Sequence, residues 1–240
     1  MIDRKAIEKN LGAVQARIAA ATEKAGRDLA EVSLVVVTKG HPAETIQVLF
    51  DLGIRAIGES YAEEGRAKQL ALSGYSGLKW HMIGHVQSRK ADLIAQHFDM
   101  LHSADSLKLT RRLNRFAGEA GRVLPILLEC NVSGEASKYG WPAADPALWP
   151  ALFGEVEQGL ALSNLKLQGL MTIAPIVKRP EQARPYFERA RRLRDELANR
   201  FPQAELSQLS MGMSDDFEPA ILEGATLVRI GTAILGPRPD

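Results

Sequence analysis

The chain has 240 residues, of which 45% are apolar, and carries 30 Lys and Arg against 29 Asp and Glu. This length and composition predict one globular domain over residues 1–240. A net charge of +1 lacks the basic excess that nucleic-acid or membrane-surface binding requires. The polar start Met1-Ile-Asp-Arg-Lys is unlike a signal peptide, and the single cysteine, Cys130, permits no internal disulfide. We therefore expect a cytoplasmic protein that binds neither nucleic acid nor membranes.

Short β-branched runs alternate with amphipathic segments along the chain. Residues 3–24 predict a first helix, because four apolar residues fall on one face: Ile7, Leu11, Val14 and Ile18. Eight runs then predict strands at 33–39, 54–60, 78–84, 100–105, 125–132, 167–174, 205–212 and 226–235. Helical patterns lie between them, for example at 42–52, 61–72 and 106–120. Such alternation predicts parallel strands joined by right-handed crossovers.

Eight strands are the number that closes a TIM barrel, so we predict an α/β fold with a single (β/α)8-type barrel. A doubly wound open sheet is the alternative, since the fourth strand is weak. Only residues 237–240 follow the eighth strand, and no eighth helix is expected there. We infer that the N-terminal helix covers the gap beside the first and last strands.

Lys39 ends the apolar run Ser33-Leu-Val-Val-Val-Thr-Lys39, where a buried strand should give way to a loop. Burial disfavours the ammonium form and lowers the pKa of a lysine. A neutral lysine amine is the group that forms a Schiff base with an aldehyde. The position of Lys39 therefore suggests an aldehyde-binding residue.

Polar residues late in several strands are predicted to point into the barrel mouth, where enzymes of this fold build their sites. They are His81, Glu129, Asn131, Gln208, Ser210 and Arg229. The segments Gly212-Met-Ser214 and Gly231-Thr232 can present N–H groups and hydroxyls to phosphate, aided by a helix starting near Ser214. Asp215 and Asp216 would repel phosphate and are expected to face outward. An aldehyde-binding lysine with phosphate-binding loops suggests pyridoxal phosphate as the cofactor.

Six segments of the chain carry a family resemblance when taken together in this order. They are Val37-Thr-Lys39, Gly58-Glu-Ser-Tyr61, Trp80-His-Met-Ile-Gly84 with Gln87-Ser88, Gly169-Leu-Met171, Ser210-Met-Gly-Met-Ser-Asp-Asp216 and Val228-Arg-Ile-Gly-Thr-Ala-Ile234. The chain resembles the pyridoxal-phosphate homeostasis protein family, single-domain relatives of the alanine racemase barrel, over nearly its whole length from Val35 onward. It departs from the family pattern at Ser60, where Asn is usual, at Gly40-His41 and at His85.

The resemblance implies a set of site residues. Lys39 would be the Schiff-base lysine, and Arg229 would face the pyridine nitrogen. The phosphate would be held by Ser210, Ser214, Gly231 and Thr232. The remaining candidates for cofactor binding are Ser60, His81, Met171 and Gly212.

The resemblance also bears on activity. A protonated Arg229 would leave the pyridine nitrogen unprotonated and weaken the ring as an electron sink. Racemases of this fold use a second acid–base residue from an additional domain, which this chain is expected to lack. We therefore expect a monomeric carrier, buffer or regulator of intracellular pyridoxal phosphate, with no catalytic residue, no metal, and cofactor-free pyridoxal phosphate enzymes as candidate partners. The alternatives are a weak amino-acid racemase or related pyridoxal phosphate enzyme, and a Schiff-base aldolase acting on a phosphorylated sugar.

Overall fold

The computed structural model describes residues 2–238, in which strands and helices alternate along the chain. The strands are β1 (Ser33–Val37), β2 (Ala56–Glu59), β3 (Lys79–Met82), β4 (Met100–Ala104), β5 (Leu124–Asn131), β6 (Trp141–Pro142), β7 (Leu165–Met171), β8 (Gln208–Ser210) and β9 (Leu227–Ile230). Their order around the sheet is β4-β3-β2-β1-β9-β8-β7-β5, and a pairing between β4 and β5 closes the ring. Strand β6 pairs with β5 alone and lies outside this ring.

The helices are α1 (Arg4–Lys24), α2 (Ala43–Asp51), α3 (Ala62–Ala71), α4 (Ala91–His97), α5 (Leu107–Glu119), α6 (Trp149–Leu160), α7 (Arg184–Arg200), α8 (Phe217–Leu222) and α9 (Thr232–Leu235). Single 3-10 turns lie at Leu29–Glu31, Ser88–Lys90, Pro146–Leu148 and Pro180–Ala183. Within residues 2–238, none of these helices combines the length and apolar character needed to cross a membrane.

Closure of the ring confirms the predicted eight-stranded parallel barrel and rules out the open sheet. The weak fourth strand, β4, decides between them because it pairs with a strand on each side. Met100 aligns with His81 of β3, and Leu101 aligns with Ile126 of β5. All five residues of β4 are buried, so its hydrophobic content was sufficient for a central position in the barrel.

The last predicted strand is too long. Residues 226–235 contain strand β9 up to Ile230, and the polypeptide then turns into the one-turn helix α9, where no helix was expected. The backbone N–H groups of Ile234 and Leu235 both donate to the carbonyl of Gly231, each at 2.9 Å. The apolar residues of this turn gave the same signal as a strand, because a four-residue segment is too short to show a helical period.

Helix α1 packs against α8 and α9, which confirms that the N-terminal helix covers the region beside the last strand. Its apolar face is buried, and two polar contacts fix its position. The side-chain amide of Asn10 donates to the carbonyl of Ile234 at 3.2 Å, and Arg17 forms an ion pair with Glu218. The first and last elements of the fold are thereby joined.

A small apolar cluster fills the barrel interior: Val35, Met100, Leu127, Met171 and Leu227. Leu127 and Leu227 each precede an inward polar residue by two positions, namely Glu129 and Arg229. Because side chains alternate along a strand, the polar residues lie one layer nearer the carboxyl ends of the strands. Leu127 and Leu227 therefore lie beneath the polar barrel mouth, the end at which this fold places its sites.

Candidate functional site

Lys39 lies two residues beyond the end of β1 and is partly buried at the barrel mouth. Burial is the main factor that lowers the pKa of its amine, and the positive charges of Arg238 and Arg229 lower it further. The carboxylates of Glu59 and Glu64 act in the opposite direction but do not cancel this shift. The amine of Lys39 therefore has a larger neutral fraction at neutral pH than an ordinary lysine.

A buried ion pair supports the residue that precedes Lys39. The ammonium group of Lys68 lies 2.7 Å from Oε1 of Glu59 and donates to the backbone carbonyl of Thr38 at 2.7 Å. The hydroxyl of Thr38 also donates to Oε1 of Glu59, at 2.6 Å. All three side chains are buried, so these contacts form where water cannot compete for them.

The residue that follows Lys39 is fixed by the same network. Glu64 accepts a hydrogen bond from the backbone N–H of Gly40 at 2.6 Å, and its Oε1 also lies 2.7 Å from Nζ of Lys68. Gly40 has a φ of +73°, a conformation that disfavours residues with a side chain. The chain is thus held on both sides of Lys39, which fixes the direction in which its amine leaves the backbone.

Arg229 is a buried cation on β9, with 4% of its surface exposed. Its Nη1 donates to the hydroxyl of Ser210 at 2.6 Å, and its Nη2 donates to the carbonyl of Thr172 at 3.0 Å. Within residues 2–238, no carboxylate lies within 4 Å of it. Burial lowers its pKa to about 10, so the guanidinium is still protonated at neutral pH. A buried cation without an ion-pair partner favours a ligand that supplies an acceptor.

Two histidines extend the contacts of Arg229 across the barrel. Nδ1 of His102 lies 2.8 Å from the hydroxyl of Ser210, and its Nε2 lies 2.9 Å from Nδ1 of His81. Burial lowers the pKa of His81 to about 4 and that of His102 well below its usual value, so both rings are neutral. The Ser210 hydroxyl accepts from Arg229, and its proton then points to Nδ1 of His102, which makes His102 the donor to His81.

Lys39 and Arg229 open onto a cleft of about 260 Å³ that we call the Thr232 cleft. Its lining is Val37, Lys39, His41, Ile83, Met213, Ser214, Asp215, Arg229, Gly231, Thr232, Gly236 and Arg238. The hydroxyl of Ser214 accepts from the backbone N–H of Ala233 at 3.2 Å, which joins the segment before α8 to helix α9. Thr232 is the first residue of α9, so its N–H has no acceptor within the helix. These groups suit an anion.

A second cleft, of about 520 Å³, shares Lys39 with the first, and we call it the Ser60 cleft. Its lining is Lys39, Ser60, Tyr61, Ala62, Glu63, Met82, Gly84, His85, Val86, Gln87, Arg89, Lys90, Ile94 and Tyr139. Gly84 lies against the backbone of Ser60, where a side chain would clash. The ring of His85 stacks on that of Tyr139, with 3.7 Å between centroids. Lys39 is therefore reached from two sides.

Comparisons with known proteins bear on this site. The family model of the alanine racemase N-terminal domain matches residues 2–239. A pyridoxal phosphate homeostasis protein of Pseudomonas aeruginosa is 44% identical over 97% of this chain and 96% of its own, and one of Escherichia coli K12 is 40% identical over 97% of each. PipY of Synechococcus elongatus, solved with PLP bound, is 36% identical with a TM-score of 0.83, over 96% of this chain and all of its own.

The chain belongs to the pyridoxal phosphate homeostasis protein family. In this member of the family, six of the ten residues predicted for the site line the two clefts that meet at Lys39. They are Lys39, Ser60, Ser214, Arg229, Gly231 and Thr232. The other four lie beneath or behind the clefts.

Ser210, for which the resemblance implies a role in phosphate binding, lines neither cleft. Its side chain is fully buried, and its hydroxyl is engaged by Arg229 and His102. His81 lies at the far end of the same chain of hydrogen bonds. Both residues therefore belong to the support of Arg229 in this family member, one layer below the cleft.

Met171 and Gly212 are likewise behind the cleft. Met171 is 1% exposed and belongs to the apolar cluster of the barrel interior. Gly212 has a φ of +92°, and a Cβ there would lie 2.7 Å from Cβ of Ala220. Its carbonyl accepts from the backbone N–H of Arg229 at 3.0 Å, so it shapes the turn after β8.

The prediction that both aspartates face outward is wrong for Asp216, and Asp215, although exposed, lines the Thr232 cleft. Asp215 is exposed, but Asp216 is 7% exposed, and its Oδ1 accepts from the backbone N–H of Met213 at 2.6 Å. The helix expected near Ser214 begins only at Phe217 and has six residues. Asp216 thus closes the turn that precedes α8, and this short helix has little dipole to offer an anion.

Sequence reasoning missed three buried polar residues that support the site: Glu59, Lys68 and His102. His102 follows Met100 at strand spacing, which indicates an inward polar group. Glu59 follows the inward Gly58, so it faces the helix layer, where it contacts Lys68. The only sequence signal for Lys68 is its helical spacing from Glu64, and this spacing is equally typical of an exposed ion pair. Its burial depends on tertiary packing.

Proposed function

We propose that this protein binds pyridoxal phosphate in the Thr232 cleft and carries, buffers or regulates this cofactor with little or no catalytic turnover. One observation carries the proposal. A lysine of lowered pKa, Lys39, lines the same cleft as the buried and unpaired cation Arg229 and the anion-suited residues Ser214, Gly231 and Thr232. This combination suits a ligand with an aldehyde, a ring nitrogen acceptor and a phosphate.

The residues of the cleft fit the cofactor group by group. Condensation of the neutral Lys39 amine with the cofactor aldehyde forms a C=N bond and releases water. Arg229 offers N–H donors to an acceptor, and at a pKa of about 10 it does not give up its proton at neutral pH. Ser214, Gly231 and Thr232 offer the hydroxyls and N–H groups that phosphate oxygens require.

The relatives support the same ligand. The proteins of Pseudomonas aeruginosa and Escherichia coli carry the name of pyridoxal phosphate homeostasis proteins, and the PipY structure contains PLP. The Lys39 segment and the Thr232 segment both lie within residues 2–239, which match the family model.

A carrier role follows from the same residues. A protonated Arg229 favours an unprotonated pyridine nitrogen, and this weakens the electron withdrawal that most pyridoxal phosphate enzymes use. Lys39 lines both clefts, so its amine is reached from the Ser60 side as well as from the Thr232 cleft. We propose that the protein is a cytoplasmic monomer and that its partners are cofactor-free pyridoxal phosphate enzymes.

The proposal is tested by reconstituting the purified protein with pyridoxal phosphate, reducing it with borohydride and mapping the modified peptide. We expect a yellow protein before reduction and a modification on Lys39 after it. Lys39→Ala should be colourless and unmodified. Modification of Lys138 in place of Lys39 would overturn the assignment, and a colourless wild-type protein would favour the aldolase alternative.

A further inference from the structure

A third cavity, of about 200 Å³, lies at the barrel mouth beside β5, and the proposed cofactor function does not use it. We call it the Glu129 cavity. Its lining is Glu129, Cys130, Asn131, Ser137, Lys138, Tyr139 and Ile173. It shares Tyr139 with the Ser60 cleft, so the two spaces are neighbours on either side of one aromatic residue.

Glu129 is an incomplete polar group in this cavity. It is 8% exposed, and its Oε2 has no hydrogen-bond partner among residues 2–238. Burial and the nearby carboxylate of Asp105 raise its pKa to about 7, while the positive charge of Arg229 acts against this rise. A buried acceptor without a donor is costly, because folding removes its water without replacing it. Such a group requires a proton or a ligand.

The loop over the cavity is held in place by its own hydrogen bonds. The side-chain amide of Asn131 donates to the carbonyls of Glu135 and Lys138, at 2.9 and 3.3 Å. Gly140 has a φ of +110° and passes so close to the carbonyl of Glu129 that a Cβ would lie 2.5 Å from it. The cavity is therefore preformed, which lowers the entropy lost when a ligand binds.

The ammonium group of Lys138 is engaged at the rim rather than with Glu129. Its Nζ lies 3.1 Å from the carbonyl of Ile173 and 2.6 Å from Oε2 of Glu135. Tyr139 adds an aromatic ring to the wall of the cavity, and aromatic faces attract cations. A cation from outside the chain thus meets a free acceptor and an aromatic ring.

We propose that the Glu129 cavity binds the ammonium end of a small primary amine, with the carboxylate of Glu129 as its acceptor. The carboxylates of Glu129 and Asp105 repel an anion, and a neutral guest would leave the negative charge of Glu129 unpaired. The cavity volume admits a group of only a few heavy atoms. This inference goes beyond the proposed cofactor function and does not depend on it, since neither Lys39 nor Thr232 lines the cavity.

The test uses methylammonium as the probe and cofactor-free protein, so that the amine has no aldehyde with which to condense. Binding is followed by backbone amide shifts in NMR spectra, with methanol as the neutral probe of similar size. We expect methylammonium to shift the amides of the Glu129 cavity and methanol to leave them unchanged. Glu129→Gln keeps the shape of the side chain and should weaken binding by about tenfold or more, the effect of losing a charged acceptor.

The pH dependence provides a second measurement. Methylammonium stays charged across neutral pH, whereas Glu129 loses its proton as the pH rises through about 7. The affinity should therefore rise about tenfold between pH 6 and pH 8 in the wild type and much less in Glu129→Gln. The other charges around the site are Asp105 with its partner His85, Arg229, and Lys138 with its partner Glu135, and all of them remain in the variant.

Two results would overturn the inference. Equal affinity of the wild type and Glu129→Gln for methylammonium, with both proteins folded by their amide spectra, would show that Glu129 is not the acceptor. Amide shifts confined to residues with exposed carboxylates, with none at the Glu129 cavity, would show that Glu129 is satisfied by a proton and does not bind the amine.

Discussion

Oε1 of Glu59 lies 2.7 Å from Nζ of Lys68, while Oε2 of the same carboxylate has no partner among the described residues. Burial raises the pKa of Glu59, and the adjacent Lys68 opposes that rise by favouring the carboxylate form. The pair holds Thr38, the residue before Lys39, through its carbonyl and its hydroxyl. Its role is to position Lys39, since neither residue lines the Thr232 cleft.

The first prediction concerns this buried pair. Lys68→Met should lower the free energy of unfolding by about 3–5 kcal/mol, because it leaves the carboxylate of Glu59 buried without its cation. Replacing both partners, as Lys68→Met with Glu59→Gln, should recover most of this loss. Urea unfolding at pH 7 measures each value.

A matched control is available at the exposed pair of Lys79 and Asp99, where the Lys79 side chain is 63% exposed. Lys79→Met should change the free energy of unfolding by less than about 1 kcal/mol. Equal effects of Lys68→Met and Lys79→Met would contradict the view that the buried pair supports the Lys39 loop.

The second prediction concerns the phosphate. Thr232→Ala should weaken the binding of pyridoxal phosphate by about 1–3 kcal/mol, the usual loss when a hydrogen bond to a charged group is removed. Thr232→Ser retains the hydroxyl and should bind nearly as well as the wild type. Pyridoxal, which has no phosphate, should be held far less well by all three proteins in spectroscopic titrations. Equal affinity of the wild type for pyridoxal and its phosphate would show that this cleft does not recognise phosphate.

The Thr232 cleft and the buried groups around it differ in how far the sequence predicts them. Lys39 and Thr232 were predicted because each follows a strongly apolar strand, and the carboxyl ends of parallel strands meet at one end of a barrel. The number of barrel strands was predictable because the strands are apolar runs. The depth of a side chain within the barrel cannot be predicted in this way. Alternation predicts that Ser210 points inward, but its contact with His102 depends on the stagger of neighbouring strands. The partnership of Glu59 with Lys68 likewise requires the packing of a helix on the barrel.

The third prediction concerns acid stability. Folding lowers the pKa of His81 from its usual value of 6.5 to about 4, so the unfolded chain binds more protons than the folded protein between these values. The stability that neutral His81 contributes is fully present above pH 6.5 and is lost as the pH falls through about 4. On acidification, the free energy of unfolding should fall by about 1–3 kcal/mol less in His81→Gln than in the wild type.

Urea unfolding of the wild type and His81→Gln at pH 7.5 and pH 4.5 measures the difference. Glu129 titrates in the opposite sense, because its raised pKa of about 7 makes its contribution decline as the pH rises. The comparison is therefore between the two proteins at each pH and not between the absolute profiles. The same difference in stability at both pH values would contradict the assignment of His81 as a buried neutral ring.

The fourth prediction is that the protein with bound pyridoxal phosphate turns over amino acids poorly or not at all. Chemistry at an amino-acid carbon requires the cofactor ring to withdraw electrons, and ring nitrogen protonation promotes this withdrawal. Arg229 keeps its own proton at neutral pH and is fixed by Ser210 and Thr172, so it cannot supply one to the ring. Two-sided proton transfer also needs a base on each face of the cofactor, and Lys39 provides only one.

The measurement is to incubate the holoprotein with each common amino acid and to follow racemisation, transamination and decarboxylation. Lys39→Ala with added pyridoxal phosphate gives the background of the free cofactor. We expect wild-type rates well below the enzyme range of about 1–1000 per second. Tyr61 also lines the Ser60 cleft, so its hydroxyl is the candidate second base to test. Turnover in the enzyme range that Tyr61→Phe abolishes would make the protein a racemase or related enzyme and end the carrier interpretation.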